Sequence, residues 1–492
     1  MNRQIARVGW VAMGLLVALL VGTTYWQTWA RPDLAARQDN AIQRVQQFEI
    51  RRGVIVTPGR VLARNRVEKV KGKTLYFRRY PQGKWTAHIV GYSTVARART
   101  GLEESLNDYL TGASRDLSSL VQDSLDKLKG KPVVGDSVRT TLDLRAQKTA
   151  LAALGGACGA VFALDPRTGR VLVAASAPSY NPNLVEEDFD EIGRIRADCA
   201  NASPLLNRAT AGLYPPGSTF KVVTATAALD SNRFEPGSRF VDPGYCTVYG
   251  KRVNNFDTSS PFGSIDLARA LQYSVNSVFC NIGLQLGARR ILNTAKKLGF
   301  YERPPLETPA EERQPSGLYR NGTLWFPERN RDVDAGRMAF GQERLLVTPM
   351  QMAMVAGAVG NAGILMRPWV VERISSPNGK TLLRTRPERI DRAMRPTTAR
   401  DVGEMMVNAV RGGTGTNAQI PGFRIGGKTG TAETGIAGRN TTWFIAFAGR
   451  EGQRPEVAIA VVLENQSSTG GQTAAPIARQ VMEALLRPAA NT

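Results

Sequence analysis

Ser218 and Lys221 are the residues best placed to do covalent chemistry; they stand three apart in Tyr214-Pro-Pro-Gly-Ser-Thr-Phe-Lys221. Pro215, Pro216 and Gly217 keep a helix from starting earlier, while the Ala-rich run through Ala228 favours one. Ser218 is therefore expected at a helix N-terminus, where free N–H groups and the dipole stabilise a developing alkoxide. Lys221 shares its face one turn on. An amine whose pKa is lowered by burial or by a second cation is neutral enough to take the serine proton. Nucleophile and base are then supplied without histidine.

Ser-x-x-Lys on its own is a weak signal. Ser124 and Lys127 repeat the spacing within a charged amphipathic run, where the simple reading is a solvated helix face. Two later motifs set Ser218 apart. Ser274-Val-Asn276 comes 56 residues later, and Gly426-Gly-Lys-Thr-Gly-Thr-Ala-Glu433 places Lys428 another 154 residues on. Ser-x-Asn recurs at Ser105/Asn107, Ser179/Asn181 and Ser376/Asn378, but Lys-Thr-Gly occurs once. Lys428 offers a cation for a carboxylate, and Thr429 and Thr431 offer hydroxyl donors. The glycines, Gly430 among them, let a substrate backbone lie against an edge strand.

The rest of the composition removes other chemistries. The single histidine, His88, lies in an apolar stretch far from any nucleophile and reads as structural, which argues against a Ser-His-Asp triad. Cys158, Cys199, Cys246 and Cys280 contain no CxxC pair, so zinc or thioredoxin-like chemistry is not expected, and their three possible pairings stay open. With 64 Lys+Arg against 42 Asp+Glu, the net charge of +22 suits an anionic partner or a simply basic surface. No finger spacing, P-loop or RNA-binding signature points to nucleic acid.

Several elements must position these residues. Thr141 or Asp143 can cap a helix from Leu144 to Leu154, stopped at Gly155-Gly156. Ala160–Leu164 and Arg170–Ala174 flank a Pro/Gly turn and read as a hairpin. Arg424–Gly427, Thr442–Phe447 and Val457–Leu463 read as three strands, with a helix over Pro476–Leu486 after them. A mostly helical block, about residues 205–365, lies between, with Glu302–Glu328 expected as Pro-rich loop. A sheet built from both ends of this region with helices inserted makes an α+β architecture. Upstream, short strands flank Pro58-Gly59, and helical spacing appears at Leu102–Leu110 and at Leu117–Leu128.

At the N-terminus, residues 8–26 form an apolar stretch of about 28 Å as a helix, long enough to span a bilayer. Arg3 and Arg7 predict a cytoplasmic N-terminus, with Trp26 and Trp29 at the interface and the remainder outside the membrane. A cleavable signal peptide ending near Ala30 is the alternative. The expected divisions are an anchor at 8–26, a non-catalytic module at 37–139 and a catalytic domain at 140–488.

The three motifs in this order resemble the penicillin-binding protein and serine β-lactamase superfamily, and the whole resembles a class B penicillin-binding protein of the actinobacterial A type. Arg51-Arg-Gly53, Ala163-Leu-Asp-Pro-Arg-Thr-Gly169, Asn207-Arg-Ala209, Phe340-Gly-Gln342, Val347-Thr-Pro-Met350 and Trp443-Phe444 extend the resemblance. It implies that the penultimate D-Ala of a peptidoglycan stem peptide acylates Ser218, that Lys221 takes the proton, and that Ser274 relays it to the leaving D-Ala. Asn276 would hold the peptide amide, and Lys428, Thr429 and Thr431 the terminal carboxylate. It further implies stem peptides and lipid-linked precursors as substrates, β-lactam antibiotics as acylating ligands, a separate membrane glycan polymerase as partner, and no cofactor. A D-Ala-D-Ala carboxypeptidase, or a membrane-anchored β-lactam sensor or β-lactamase, are the competing readings.

Overall fold

In the computed structural model, residues 2–25, 48–70, 72–94, 97–113, 133–199, 201–436 and 438–487 are described. Trp26, Trp29, Ala30, and the Ser124/Lys127 pair lie outside them. One sheet of the expected catalytic domain has five antiparallel strands in the order Phe423–Ile436, Arg439–Arg450, Val457–Gln466, Gly159–Leu164, Val171–Ala177. Both ends of the region thus meet in one sheet, and the α+β expectation holds.

The sheet is covered on both faces, which explains why its strands read as unbroken apolar runs. Along Gly159–Leu164, Ala160, Phe162 and Leu164 enter one core, while Val161 and Ala163 enter the other. The second core is roofed by helices Leu144–Leu154 and Ala474–Leu486. Asp143 rather than Thr141 caps the first of these, its carboxylate accepting from Ala146 N at 2.9 Å; Thr141 instead donates to Val171 O. The first core continues into the helical block, with Pro349–Gly360 buried along nearly its whole length against the sheet.

That block is less purely helical than its pattern suggests. Arg239–Asp242 pairs with Gly263–Asp266 around a small hairpin of Tyr245–Val248 and Lys251–Asn254, and Glu302–Glu328 contains strands Gly317–Arg320 and Thr323–Trp325 in a three-stranded sheet with Leu345–Leu346. These strands are two to four residues long, too short for period-two alternation to register. The four cysteines pair as Cys158–Cys199 and Cys246–Cys280.

The upstream module shares a sheet with the catalytic region. Its order is Thr381–Arg384, Val371–Ser375, Ser137–Thr140, Ile55–Thr57, Arg60–Val70, Lys73–Arg79. A boundary at 139/140 therefore cuts a strand that pairs in parallel with Ile55–Thr57 and antiparallel with Val371–Ser375. The expected helix at Leu102–Leu110 is two short ones, Gly101–Ser105 and Asn107–Thr111. Between them and the strands lies a buried ion cluster: Glu103 accepts from Arg52 Nη2 at 2.9 Å and from Arg78 Nε at 2.6 Å. Burial pushes the Glu103 carboxyl up, but the two guanidiniums outweigh it and hold the pKa below its usual value.

Asn2–Tyr25 is a single helix whose Trp10, Leu15, Leu16, Leu19 and Leu20 face outward. Among the described residues, no helix is long and apolar enough to cross a membrane.

Candidate active site

The Ser218 turn is held against the Lys428 strand by close backbone approach. Gly217 has φ +51°, and its N–H donates to Gly341 O at 3.0 Å. A Cβ on Gly341, itself at φ +83°, would fall 1.9 Å from Gly217 O, so only glycine fits there. On the opposite side, a Cβ on Gly430 would meet Pro216 O at 2.9 Å and Thr219 Cγ2 at 3.0 Å. The indole of Trp443 donates to Pro215 O at 2.9 Å. Ser218 itself lies in a one-turn 3-10 segment, Gly217–Phe220, and the α-helix proper begins at Lys221. The helix-terminus expectation is right to within one turn.

Ser274 stands at a break between helices Leu267–Gln272 and Asn276–Leu286, in the left-handed region at φ +62°. That conformation is costly for a residue with a Cβ. It turns both the Ser274 carbonyl and its hydroxyl toward the lysines. Lys221 Nζ lies 2.6 Å from Ser274 O, 2.7 Å from Asn276 Oδ1 and 3.2 Å from Ser274 Oγ. Lys428 Nζ lies 2.8 Å from the same Oγ and 2.9 Å from Thr429 O. Residues from three separate motifs converge on one hydroxyl.

Both lysines are fully buried. Burial drives the Lys221 amine well below its ordinary pKa, and the neighbouring Lys428 charge lowers it further. Burial alone brings Lys428 to about 7. A neutral Lys221 has two N–H donors and one lone pair; the donors go to Ser274 O and Asn276 Oδ1, which leaves the lone pair for a hydroxyl proton. Among the described residues Ser218 Oγ makes no hydrogen bond to Lys221, and the hydroxyl bonded to that amine is Ser274's.

Lys428 and the two threonines leave their strand on opposite faces, because Lys428 pairs with Ile445 and Thr429 with Phe444. Thr429 Oγ1 is 2.6 Å from Thr414 Oγ1, and Thr431 Oγ1 accepts from Gly470 N at 3.3 Å. The sequence groups these three around one carboxylate, whereas at rest only Lys428 reaches the side of Ser274.

Several supporting residues carry no motif signal. Asp242 receives Ser277 Oγ at 2.6 Å, Gly244 N, Phe262 N and Asn255 Nδ2, while Asn255 Oδ1 receives Ser277 N. Burial pushes the Asp242 carboxyl up, but these donors outweigh it and leave the pKa lowered. Asn276 Nδ2 donates to Asn254 O at 3.0 Å, so its amide is fixed from both ends. Glu464 ties the approach to Ser218: it accepts from Tyr214 Oη at 2.8 Å and from the buried Arg208 at 2.9 Å. These acceptors sit at or near strand ends, where alternation says nothing of their partners, and only contact reveals them.

His88 is buried, its Nε2 2.9 Å from Pro204 O, and burial lowers its pKa to about 4. Its structural reading stands. Cys158, Cys199 and Glu464 are the one grouping of metal-ligand types among the described residues, but both sulfurs are in a disulfide.

Known proteins share this outline. Residues 159–483 match the penicillin binding protein transpeptidase domain, and residues 52–138 match the penicillin binding protein A dimerisation domain. A peptidoglycan D,D-transpeptidase PbpA of Mycolicibacterium smegmatis is 34% identical over 99% of both chains, and the PbpA of Mycobacterium tuberculosis is 33% identical with the same coverage. The ceftriaxone acyl-enzyme structure of penicillin-binding protein A from M. tuberculosis superposes with a TM-score of 0.80 at 30% identity, over 90% of this chain and 100% of that one.

Proposed function

The chain belongs to the penicillin-binding protein transpeptidase family, and from that premise we propose how its buried serines and lysines divide the work. The reaction is that of a serine-type peptidoglycan D,D-transpeptidase which β-lactams acylate. Ser218 Oγ attacks the carbonyl of the penultimate D-Ala as the neutral Lys221 removes its proton. Ser274 passes that proton to the nitrogen of the departing D-Ala, and the amine of a second stem peptide later takes the acyl group from Ser218. Asn276 holds the peptide amide. Lys428, Thr429 and Thr431, with Gly430 giving backbone access, receive the terminal carboxylate. Backbone N–H groups of Ser218 and Thr431 stabilise the oxyanion, at about 3 kcal/mol per donor.

The observation that carries this assignment is the placement of Ser274 Oγ between Lys221 Nζ and Lys428 Nζ, at 3.2 and 2.8 Å, with both lysines fully buried. Two ammonium groups that close in low dielectric disfavour each other, so one is neutral, and Lys221 is the more strongly depressed. The test is intact-mass spectrometry after benzylpenicillin exposure. The wild type gains one antibiotic mass and Ser218→Ala gains none; an undiminished adduct in the variant refutes the nucleophile.

The setting of the domain belongs to the same proposal. Helix Asn2–Tyr25, with Arg3 and Arg7 at its start, serves as a single-pass anchor with a cytoplasmic N-terminus, supported by its outward-facing apolar side chains. Residues 37–139 act as a non-catalytic pedestal beneath the catalytic domain at 140–488, which acts on lipid-linked precursors and stem peptides beside a separate membrane glycan polymerase. Recovery of the full-length protein in the carbonate-washed membrane fraction, and co-purification with a polymerase, check the two parts. Full-length protein in the soluble fraction would remove the anchor.

A further inference from the structure

Two glutamates where the upstream module meets the catalytic region are withdrawn from water to different ends. Glu103 meets two guanidiniums, and its pKa is lowered. Half-buried Glu312 has Oε1 held by Gly101 N at 2.9 Å, but among the described residues it forms no ion pair and no donor reaches Oε2. Burial, followed by the Glu104 and Glu311 charges, pushes its pKa up to about 7 against the Gly101 hydrogen bond and the Arg313 charge. Glu312 borders a cavity of about 160 Å³ with walls from both regions: His88 and Tyr92 upstream, Tyr180, Leu205 and Leu206 downstream. A cavity of about 150 Å³ takes a molecule the size of benzene. The lining is rich in acceptors. His88 is 7% exposed, and its Nε2 must donate to Pro204 O, because a carbonyl only accepts. Its Nδ1 therefore keeps a lone pair, which no donor reaches among the described residues. Tyr180 stands nearly perpendicular to His88 and Tyr92, with ring centres 5.4 and 6.4 Å away. The Glu312 charge is felt by Tyr92, whose pKa rises mainly through burial.

We propose that this cavity binds a small primary alkylammonium ion, with its charge against Glu312, its N–H groups shared with His88 Nδ1, and its alkyl tail along Leu205 and Leu206. The ion supplies the counter-charge that Glu312 lacks, and the aromatic rings attract it further. Leu205 and Leu206 are 42% and 38% exposed, so the tail reaches the open side of the cavity. None of the lining residues belongs to the site of Ser218, Ser274 and Lys428, so the ion is a second ligand and not the acyl donor. It bridges the two regions, and Asn207 in the same wall precedes Arg208, whose guanidinium holds Glu464 and through it Tyr214.

Calorimetric titration of the full-length protein with n-butylammonium chloride, and with 1-butanol as a neutral analogue of the same size, tests this. The ammonium binds about tenfold or more tightly than the alcohol, the scale of a hydrogen bond to a charged group. Its affinity rises about tenfold from pH 6 to pH 8, because the ionised Glu312 holds it. Across that range a primary amine stays charged, while His88, with its pKa lowered to about 4, and Tyr92 stay neutral. In Glu312→Gln, whose amide oxygen still accepts from Gly101 N, affinity falls about tenfold and no longer changes with pH. Equal affinity for the ammonium and the alcohol overturns the site, as does unchanged binding in Glu312→Gln. Should that variant not fold, Ala211→Met, which fills the cavity from its wall, abolishes binding; retained binding there overturns the site equally.

Discussion

Ser274 Oγ lies between two amines, 3.2 Å from Lys221 Nζ and 2.8 Å from Lys428 Nζ. Both amines are placed to donate to this oxygen, which has two lone pairs, and once Lys221 has lost a proton its own lone pair can accept the Ser274 hydroxyl instead. Lys428 thereby acts on Lys221 through charge and on Ser274 through a hydrogen bond.

Replacing Lys428 by methionine removes that charge while keeping an apolar stem. Lys221 is depressed first by burial and then by Lys428, so the variant's Lys221 has a higher pKa. The acidic limb of the acylation pH profile then moves to higher pH, and the rate at neutral pH falls about 100-fold or more. A profile that drops in height without moving would mean that Lys428 does not tune Lys221.

The same lysine should be visible in stability. Its folded pKa, about 7, is below its ordinary value of 10.5. Between these values the unfolded chain holds the proton and the folded chain does not, so stability falls away from its low-pH level by the sign of the proton balance only if folding took up protons; here folding releases one, and stability rises with pH through that window. The burden of charging the buried amine is fully present below about pH 7 and is relieved as pH approaches 10.5. Urea denaturation at pH 7.5 and pH 9 should show a steeper rise in the wild type than in Lys428→Met, where only Lys221 still contributes, the difference being up to about 1.4 kcal/mol per pH unit. Parallel behaviour of the two proteins would contradict a depressed Lys428.

Gly341→Ala tests whether the Ser218 turn is held by backbone contact. The new methyl would collide with Gly217 O at a φ that disfavours any Cβ. The turn must shift, and misplacement of a nucleophile by an ångström costs about 100-fold. Acylation by benzylpenicillin should fall by that factor while circular dichroism stays native. Near-normal acylation would show that the turn tolerates displacement.

Glu103→Ala leaves Arg52 and Arg78 buried without their carboxylate. Breaking a buried ion cluster in this way costs about 3–5 kcal/mol. Thermal unfolding of the upstream module should occur at lower temperature, with faster proteolysis there, while the folded fraction still acylates. An unaltered melting curve would mean the cluster is energetically neutral.

Much of the catalytic region was legible in its residues. Long apolar runs such as Val457–Leu463 announce buried strands, and the order of Ser218, Ser274 and Lys428 announces the site. Less legible were the short strands at Gly317–Trp325, the split of Leu102–Leu110 into two helices, and the Asp242–Asn255–Ser277 network. The network depends on contacts between separate segments, and the strands and split helices are elements of five residues or fewer; neither leaves a periodic trace. Also hidden was that the two regions share a sheet: Val371–Ser375 completes one begun by Ile55–Thr57 through strand Ser137–Thr140.

By itself the sequence determined which groups are present and their order: one serine before a helix, one lysine a turn later, and one Lys-Thr-Gly on a strand. Tertiary structure alone decided that Lys428 faces Ser274 while Thr429 and Thr431 turn to the other side. It also decided that Cys158 meets Cys199, and that Lys221 is buried deeply enough to be held well below its ordinary pKa. Identity and spacing are properties of the chain, whereas protonation depends on local dielectric and on neighbouring charge, and neither exists until the fold excludes water.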